Sequence, residues 1–442
     1  MDDLNKLSAF DAVNGIRTKR FTSQQLMADC ITRIEKREPS VRAWAHFDPE
    51  HAMAEAKKAD KKQDNGERLG PLHGIPVGIK DVIDVKGMPG EHGSPIFANR
   101  VPEEDSKAVT QLKNAGGIIM GKTVTTEMAN LAPSKTRNPH DLKRSPGGSS
   151  SGSAASVADF HVPLALGTQT GGSVIRPASF NGIHGLKPTV GTISRNGMLL
   201  QSHTLDTIGV YARNLVDLAI VNNCLIEENA DATLEEILEQ GSKVFKNWAK
   251  TSETPKFAFL ETPAWPEADI GAKNAIETAI TSLSSACQRE RLPDPFSKII
   301  DYHAAVFAAE NSHYYGPFLD NHSELLSEKL RDRLIVSKTT LASEYIAALN
   351  ARDKIYHSLE ALLDDYDAVL CLAATGAAPI GFETTGSAIF NGLWTYLGVP
   401  CLSLPLLTTE NMPLGLQLVG KRGNERKLFK TANWIENHLK AS

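Results

Sequence analysis

Two glycine- and serine-rich stretches, separated by a short apolar segment, constrain this chain more than any other feature of its sequence. They are Ser145-Pro-Gly-Gly-Ser-Ser-Ser-Gly-Ser153 and Gly167-Thr-Gln-Thr-Gly-Gly-Ser173. Glycine costs more conformational entropy to order than any other residue, so such backbone is poor material for a core. It is kept where N–H groups must approach a ligand closely or where unusual dihedrals are needed. We therefore predict that the two turns form an active site.

The apolar pattern around these turns predicts alternating strands and helices. Short apolar runs predict buried strands at 75–79, 117–121, 162–166, 368–372, 400–405 and 414–419, the first of which is bounded by glycines and a proline. A small-residue helix is predicted at 150–158, between the two turns. Because strands alternate with helices, we predict an α/β fold whose mixed sheet is covered on both faces.

Glycine-poor, helix-patterned sequence separates the two strand-rich parts of the chain. Helices are predicted there at 215–226, 233–249, 271–290 and 341–363, with one strand at 256–260. We therefore predict a single domain, 1–442, with one sheet interrupted by an insertion. Its parts are N-terminal helices 1–65, a core 70–210, a mostly helical insertion 214–365, and a C-terminal sheet and helix 366–442.

Composition indicates a soluble globular protein. Hydrophobic residues make up 41% and charged residues 22% of the chain, and the net charge is −5. That charge argues weakly against nucleic acid or an anionic membrane as a partner. The five cysteines are scattered, which predicts buried thiols and neither a disulfide framework nor a metal site. With no signal peptide or membrane-length apolar run, we expect a cytoplasmic protein.

Two motif matches have structural explanations that are stronger than the functional ones. Gly116–Thr123 satisfies the P-loop pattern, but its Ile-Ile-Met spacer is itself a predicted strand, where a P-loop needs a polar turn. Gly148–Gly152 satisfies the nucleophile-elbow pattern with Ser150 as nucleophile, but a loop precedes it where the elbow needs a strand. An esterase using Ser150 therefore stays open only as an alternative.

Ser173 is the better candidate nucleophile. The amides of Thr170, Gly171, Gly172 and Ser173 can point into one concavity, and such oxyanion-hole donors are worth roughly 3–4 kcal/mol each. A serine needs a base, and Lys80 at the end of an apolar strand is the candidate because desolvation favours its neutral form. Ser149 in the other turn can relay the proton between them.

These residues resemble the amidase signature family of serine hydrolases. Gly74–Asp81 resembles the family's lysine strand, 145–153 its Gly/Ser signature and 167–173 its nucleophile turn. Further anchors are Gly185–Thr189, Leu205–Thr207, Ala378–Pro379, Asn391, Gly398–Pro400 and Pro413–Gln417. The resemblance implies a large mixed sheet of about ten strands. It also implies a Ser173–Ser149–Lys80 triad with Ser149 after a cis peptide, and no metal or organic cofactor.

The chain departs from the family's pattern at substrate-side positions. Gln169 stands where many members carry aspartate, and Arg176 lies three residues after Ser173 where many relatives have it at two. This form resembles smaller amidases, including malonamidase-like and carbamate-cleaving enzymes, in some of which the arginine binds a carboxylate. We predict Arg176, Gln169 and Ser150 as substrate-binding residues; a structural ion-pair role for Arg176 is an equal alternative.

The main functional prediction is a hydrolase of small amides or carbamates that acts on C–N bonds other than peptide bonds, with esters as further candidate substrates. Its expected partner is the small-molecule substrate alone, without nucleic acid or membrane, in a monomer or homodimer. The alternatives are an amidotransferase subunit that acts with partner chains on aminoacyl-tRNA, and a protein that keeps the triad but only binds.

Overall fold

The computed structural model describes residues 3–226, 254–292 and 294–441 of the chain. Its strands are β1 Trp44–Phe47, β2 Pro76–Lys80, β3 Ile118–Thr123, β4 Leu164–Gln169, β5 His184–Lys187, β6 Thr207–Ala212, β7 Phe257–Leu260, β8 Cys287–Glu290, β9 Ala368–Leu372, β10 Cys401–Thr409 and β11 Met412–Val419. Together they form one 11-stranded sheet, in the order β1-β3-β2-β4-β6-β5-β10-β11-β9-β7-β8.

The helices of the described residues cover this sheet. They are α1 Ala9–Arg17, α2 Ser23–Val41, α3 Pro49–Asp64, α4 Lys107–Asn114, α5 Ser151–Ala158, α6 Ile175–Asn181, α7 Leu215–Leu225, α8 Ile270–Leu283, α9 Ile299–His322, α10 Glu328–Ser337, α11 Ala342–Asp365, α12 Ile389–Leu397 and α13 Glu425–Ala441. The predicted α/β architecture, with a large mixed sheet between helices, is confirmed.

The sheet is mixed because both kinds of pairing occur. β2 lies parallel to β3 and to β4, whereas β4, β6, β5, β10, β11 and β9 pair antiparallel in succession. Apolar side chains alternate between its faces: Phe257 and Phe259 join one core cluster, and Ala258 and Leu260 join the other. This period of two is what a strand buried on both faces requires.

Local signals set several helix boundaries. Thr22 and Gln25 form a capping box, in which Gln25 N donates to Thr22 Oγ1 and Thr22 N donates to Gln25 Oε1. Met27, Cys30 and Ile34 follow on the buried face of α2. The cap and the apolar spacing therefore place this helix from sequence alone.

One predicted helix of the insertion ends earlier in the structure than expected. The predicted helix 271–290 ends at Leu283, and Cys287–Glu290 forms the edge strand β8, parallel to β7. An edge strand with polar, exposed residues lacks the apolar pattern that reveals a buried strand. The predicted helix at 233–249 lies outside the described residues, and the domain boundaries as a whole stay a prediction. Within the described residues, no helix combines the length and apolarity needed to cross a membrane.

Candidate active site

Lys80 occupies the last position of β2 and is fully buried. Its Nζ donates hydrogen bonds of 2.7 Å to Ser149 Oγ and 2.7 Å to Thr168 Oγ1. The second contact follows from topology, because β2 and β4 are parallel neighbours and their carboxyl ends meet at one edge of the sheet. The structure therefore brings together two members of the predicted triad and adds Thr168, which the sequence analysis did not assign.

The electrostatics of Lys80 suit a base. Burial holds the pKa of the Lys80 amine well below its usual value, and the nearby Asp206 carboxyl opposes this only in part. Asp206 is itself buried, and burial raises its pKa to about 6. A lysine with a lowered pKa is neutral, and so able to accept a proton, nearer to neutral pH than an exposed one.

Ser149 is held in the first turn by backbone contacts. The Gly148–Ser149 peptide bond is cis, and Ser149 O accepts a hydrogen bond of 3.1 Å from Thr126 N. Gly148 is needed because a Cβ there would lie 2.7 Å from a methyl carbon of Thr385. The turn thus fixes the Ser149 hydroxyl against Lys80 at a crowded point of the backbone.

Ser173 lies in the turn between β4 and α6 and is partly exposed. The turn's four amides, from Thr170 to Ser173, donate no hydrogen bond within the described chain. Gly172 must lack a side chain, since a Cβ would lie 2.4 Å from Asn391 Oδ1. No hydrogen bond joins Ser173 Oγ to Ser149 in the described residues, so the place of Ser173 in the triad stays a prediction, as do the oxyanion donors.

Gln169 organises this turn. Its Oε1 accepts from the amides of Val174 (2.8 Å) and Ile175 (3.0 Å), and its Nε2 donates to Thr395 Oγ1 at 2.9 Å. Two of the otherwise unpaired amides at the start of α6 are thereby satisfied. These contacts favour a positioning role for Gln169 over the predicted contact with substrate.

Arg176 and Ser150 also bond to the protein itself. Arg176 Nη1 donates to Gly386 O and Nη2 to Gly148 O, both at 2.6 Å, which joins the Ser149 turn to a distant loop. Ser150 Oγ donates to Thr168 O at 3.2 Å and accepts from Thr168 N at 3.1 Å. Substrate binding by these two residues stays a prediction, and their contacts favour positioning.

A polar network behind the nucleophile turn was missed from sequence. Thr170 Oγ1 donates to Asp206 Oδ1 and accepts from Gln201 Nε2 at 2.6 Å, while Asp206 Oδ2 accepts from Gln201 N at 2.8 Å. On the other side, His303 Nε2 lies 3.1 Å from Thr170 O. Asp206 stood in a recognised motif without a role, whereas no sequence signal marked His303 in α9.

The structure explains both misleading motifs. In the P-loop match, 118–123 is strand β3, and Lys122 Nζ forms a buried ion pair of 2.7 Å with Asp81 Oδ1. The prediction that the Ile-Ile-Met spacer is a strand is confirmed. In the elbow match, the fully buried Ser150 hydroxyl ties α5 to β4, which disfavours an esterase that uses Ser150. Within the described residues, no group of three or more potential ligands could hold a metal ion.

Comparison with known proteins agrees with the fold. An amidase, 27% identical, has a TM-score of 0.87 with 98% of this chain and 99% of that chain covered. The peptide amidase from Stenotrophomonas maltophilia is 26% identical, with a TM-score of 0.82 and coverage of 98% and 97%. A chain from a vestigial protein complex linked to the origins of an s-triazine catabolic enzyme is 25% identical, with a TM-score of 0.87 and coverage of 98% of each chain.

Curated relatives correct the predicted partners. One glutamyl-tRNA(Gln) amidotransferase subunit, from Natranaerobius thermophilus, is 30% identical over 99% of this chain and 96% of that protein. Its counterpart in Chloroflexus aurantiacus is 31% identical over 98% and 96%. The expectation of a small-molecule partner alone, without nucleic acid and in a monomer or homodimer, is contradicted by these relatives, which are named as subunits of a tRNA-directed enzyme. Net charge misled because it is a whole-chain sum and does not report local surfaces.

The amidase family model matches residues 25–429. It covers the lysine strand, both Gly/Ser turns and the C-terminal strands of the sheet. Together with relatives of 30% identity aligned along almost the whole chain, this match shows that the protein belongs to the amidase signature family.

Proposed function

We propose that this protein cleaves the C–N bond of an amide through an acyl-enzyme on Ser173, with Ser149 as proton relay and Lys80 as base. The observation that carries the proposal is the 2.7 Å hydrogen bond from the buried Lys80 Nζ to Ser149 Oγ. An amine with a lowered pKa, bonded to a hydroxyl beside the nucleophile turn, is the arrangement that serine activation needs.

In the first half-reaction, Ser173 Oγ attacks the amide carbonyl. Its proton passes to Ser149 Oγ as Ser149 gives its own proton to Lys80 Nζ. The carbonyl oxygen becomes an oxyanion, which the amides from Thr170 to Ser173 stabilise by hydrogen bonds. When the intermediate collapses, the proton returns from Lys80 through Ser149 to the leaving nitrogen, and an ester on Ser173 remains.

In the second half-reaction, a water molecule attacks the ester carbonyl. The same relay takes the proton of the water and returns one to Ser173 Oγ as the carboxylic product leaves. Lys80 therefore acts as base in each attack and as acid in each collapse, as microscopic reversibility requires. The hydrogen bond between Lys80 and Ser149 makes both directions of proton transfer available.

Two fates of the released amine have support. The amidase and peptide amidase among the structural neighbours support hydrolysis of small amides, and carbamates are an extension of that chemistry. The curated relatives support an amidotransferase subunit, in which the nitrogen passes to a second substrate with the help of partner chains. Of the two, the comparisons favour the amidotransferase interpretation.

Ser173→Ala tests the shared chemistry. The wild-type protein is treated with a sulfonyl fluoride, and the adduct is located by mass spectrometry. In a separate experiment, the untreated protein is assayed on aryl amides, aliphatic amides, carbamates, esters and glutamine. We expect the adduct on Ser173 and loss of all turnover in Ser173→Ala, whereas Ser150→Ala should still form the adduct and keep measurable turnover. An adduct on Ser150, or an active Ser173→Ala variant, would refute the proposal.

The amine's fate is tested separately. Ammonia release from glutamine is measured for the chain alone and with the other subunits of such an amidotransferase and its aminoacyl-tRNA. Release that rises strongly only in the full mixture supports the amidotransferase function. Efficient turnover of a small amide by the chain alone, unaffected by the mixture, supports the hydrolase.

A further inference from the structure

A second concave site lies away from the nucleophile, between α3, the end of α4, the loop after β2 and the start of β3. We call it the α3 cleft; its volume is about 340 Å³. Ile118, which lines the cleft, is the first residue of β3. Thr123, which pairs with Lys80, is the last residue of the same strand. At about 3.3 Å per residue the two sites are roughly 16 Å apart along the strand, so the α3 cleft is distinct from the catalytic one.

The α3 cleft is strongly cationic in a chain whose net charge is −5. Its lining contains the lysines Lys58, Lys62, Lys86 and Lys113 and a single carboxylate, Glu55. Lys58 pairs with Glu55 at 2.6 Å, and Lys113 pairs with Asp105 at 2.6 Å. For Lys62 and Lys86, the structure shows no ion pair within 3–226, 254–292 and 294–441. Two ammonium groups are thus left to face solvent or an anion.

His73 adds a buried group with unmet hydrogen-bonding capacity. Its ring lines the cleft, the residue is only 3% exposed, and Nε2 has no hydrogen-bond partner among the described residues. Burial lowers the pKa of the imidazole; Lys62 lowers it further, and Asp60 opposes them. Buried polar atoms are usually paired, so an unpaired one that lines a cleft is a candidate contact for a ligand.

The backbone of the cleft excludes one mode of anion binding. The amides of Gly116 and Gly117 already donate to Lys113 O and Leu112 O, each at 2.9 Å, and Ile118 N donates to Ile75 O. A P-loop needs such amides free to cradle phosphate. Recognition here must come from side chains, in the way lysine binds phosphate as a point charge.

We propose that the α3 cleft binds a phosphoryl-bearing anion between Lys62, Lys86 and His73. The anion neutralises the two ammonium groups and accepts a hydrogen bond from His73 Nε2 in the protonated imidazole, a form that its negative charge favours. The phosphoryl group comes either from a free phosphate monoester or from the backbone of an RNA strand. The cleft's volume accommodates a phosphoryl group together with part of the molecule that carries it.

The test measures binding of inorganic phosphate, glycerol 3-phosphate and a short single-stranded RNA to the full chain, by calorimetry at constant ionic strength. The double variant Lys62→Ala/Lys86→Ala is compared with Lys57→Ala/Lys61→Ala. The control also removes two positive charges, both from α3, but neither of its lysines lines the cleft. Thermal unfolding of each variant verifies the fold, and the His73 pKa is followed by NMR.

We expect the cleft variant to bind at least one probe about tenfold more weakly than the wild-type protein, and the control to bind it unchanged. The His73 pKa of the wild-type protein should rise when that probe binds. Preference for glycerol 3-phosphate identifies a small ligand, and preference for RNA identifies a strand. Absence of saturable binding, or equal weakening in both variants, would overturn the proposal.

Discussion

Replacing Lys80 with methionine should remove the proposed base and, with it, the cost of burying an amine. Methionine keeps much of the aliphatic length but cannot donate to Ser149 Oγ or Thr168 Oγ1, each 2.7 Å from the lysine nitrogen. A positioned general base contributes about 10²- to 10⁴-fold in rate. We expect sulfonylation of Ser173 and turnover of any amide to fall by that range in Lys80→Met.

The pH dependence of folding stability gives a second readout of Lys80. Burial lowers the folded-state pKa of Lys80, so between that pKa and the unfolded value of about 10.4 the unfolded chain binds more protons. The contribution of Lys80 to the free energy of unfolding is therefore complete above the unfolded pKa. It falls by about 1.4 kcal/mol per pH unit as the pH drops through the window, and is constant below the folded pKa.

Denaturant unfolding of both proteins between pH 7 and 10 checks the sign, because the difference between them isolates this residue. Lys80→Met should show the shallower rise of stability with pH. Lys187→Met is the matched control: Lys187 is also buried with a lowered pKa, but its Nζ bonds to Pro188 O and Val399 O. It should flatten the pH profile while leaving sulfonylation within tenfold. An active Lys80→Met, or one with an unchanged profile, would refute the reasoning.

Three further predictions concern residues that position the site. Gln169→Leu leaves two amides at the start of α6 without an acceptor and should cost about 2–5 kcal/mol in denaturant unfolding, with kcat reduced. Arg176→Lys cannot hold both carbonyls that the guanidinium binds, so kcat should fall with KM unchanged; a rise in KM alone would instead indicate substrate binding. Burial raises the folded pKa of Asp206 to about 6. Its contribution to stability should therefore fall by about 3 kcal/mol as the pH rises from about 4 to 6; comparison with Asp206→Asn across that range, which should lack the fall, measures it.

Much of the fold was accessible from sequence because its signals are local. The runs that became β2, β4, β9 and β11 are short and mostly apolar, as strands buried on both faces are. The polar edge strand β8 was predicted as helix, because an exposed edge carries no such pattern. The sequence predicted strands where burial restricts the residue types to apolar ones. It did not predict them at exposed positions, where many residue types are compatible with the same structure.

The sequence by itself determined which residues could do the chemistry: two turns that only glycine and serine can build, and a lysine at the end of an apolar strand. Only the tertiary structure decided what surrounds them. Thr168 reaches Lys80 because β2 and β4 are parallel neighbours, and His303 reaches Thr170 from a helix more than a hundred residues later in the chain. The physical reason is that a pKa depends on burial and on neighbours in space, and neither quantity is written in the local sequence.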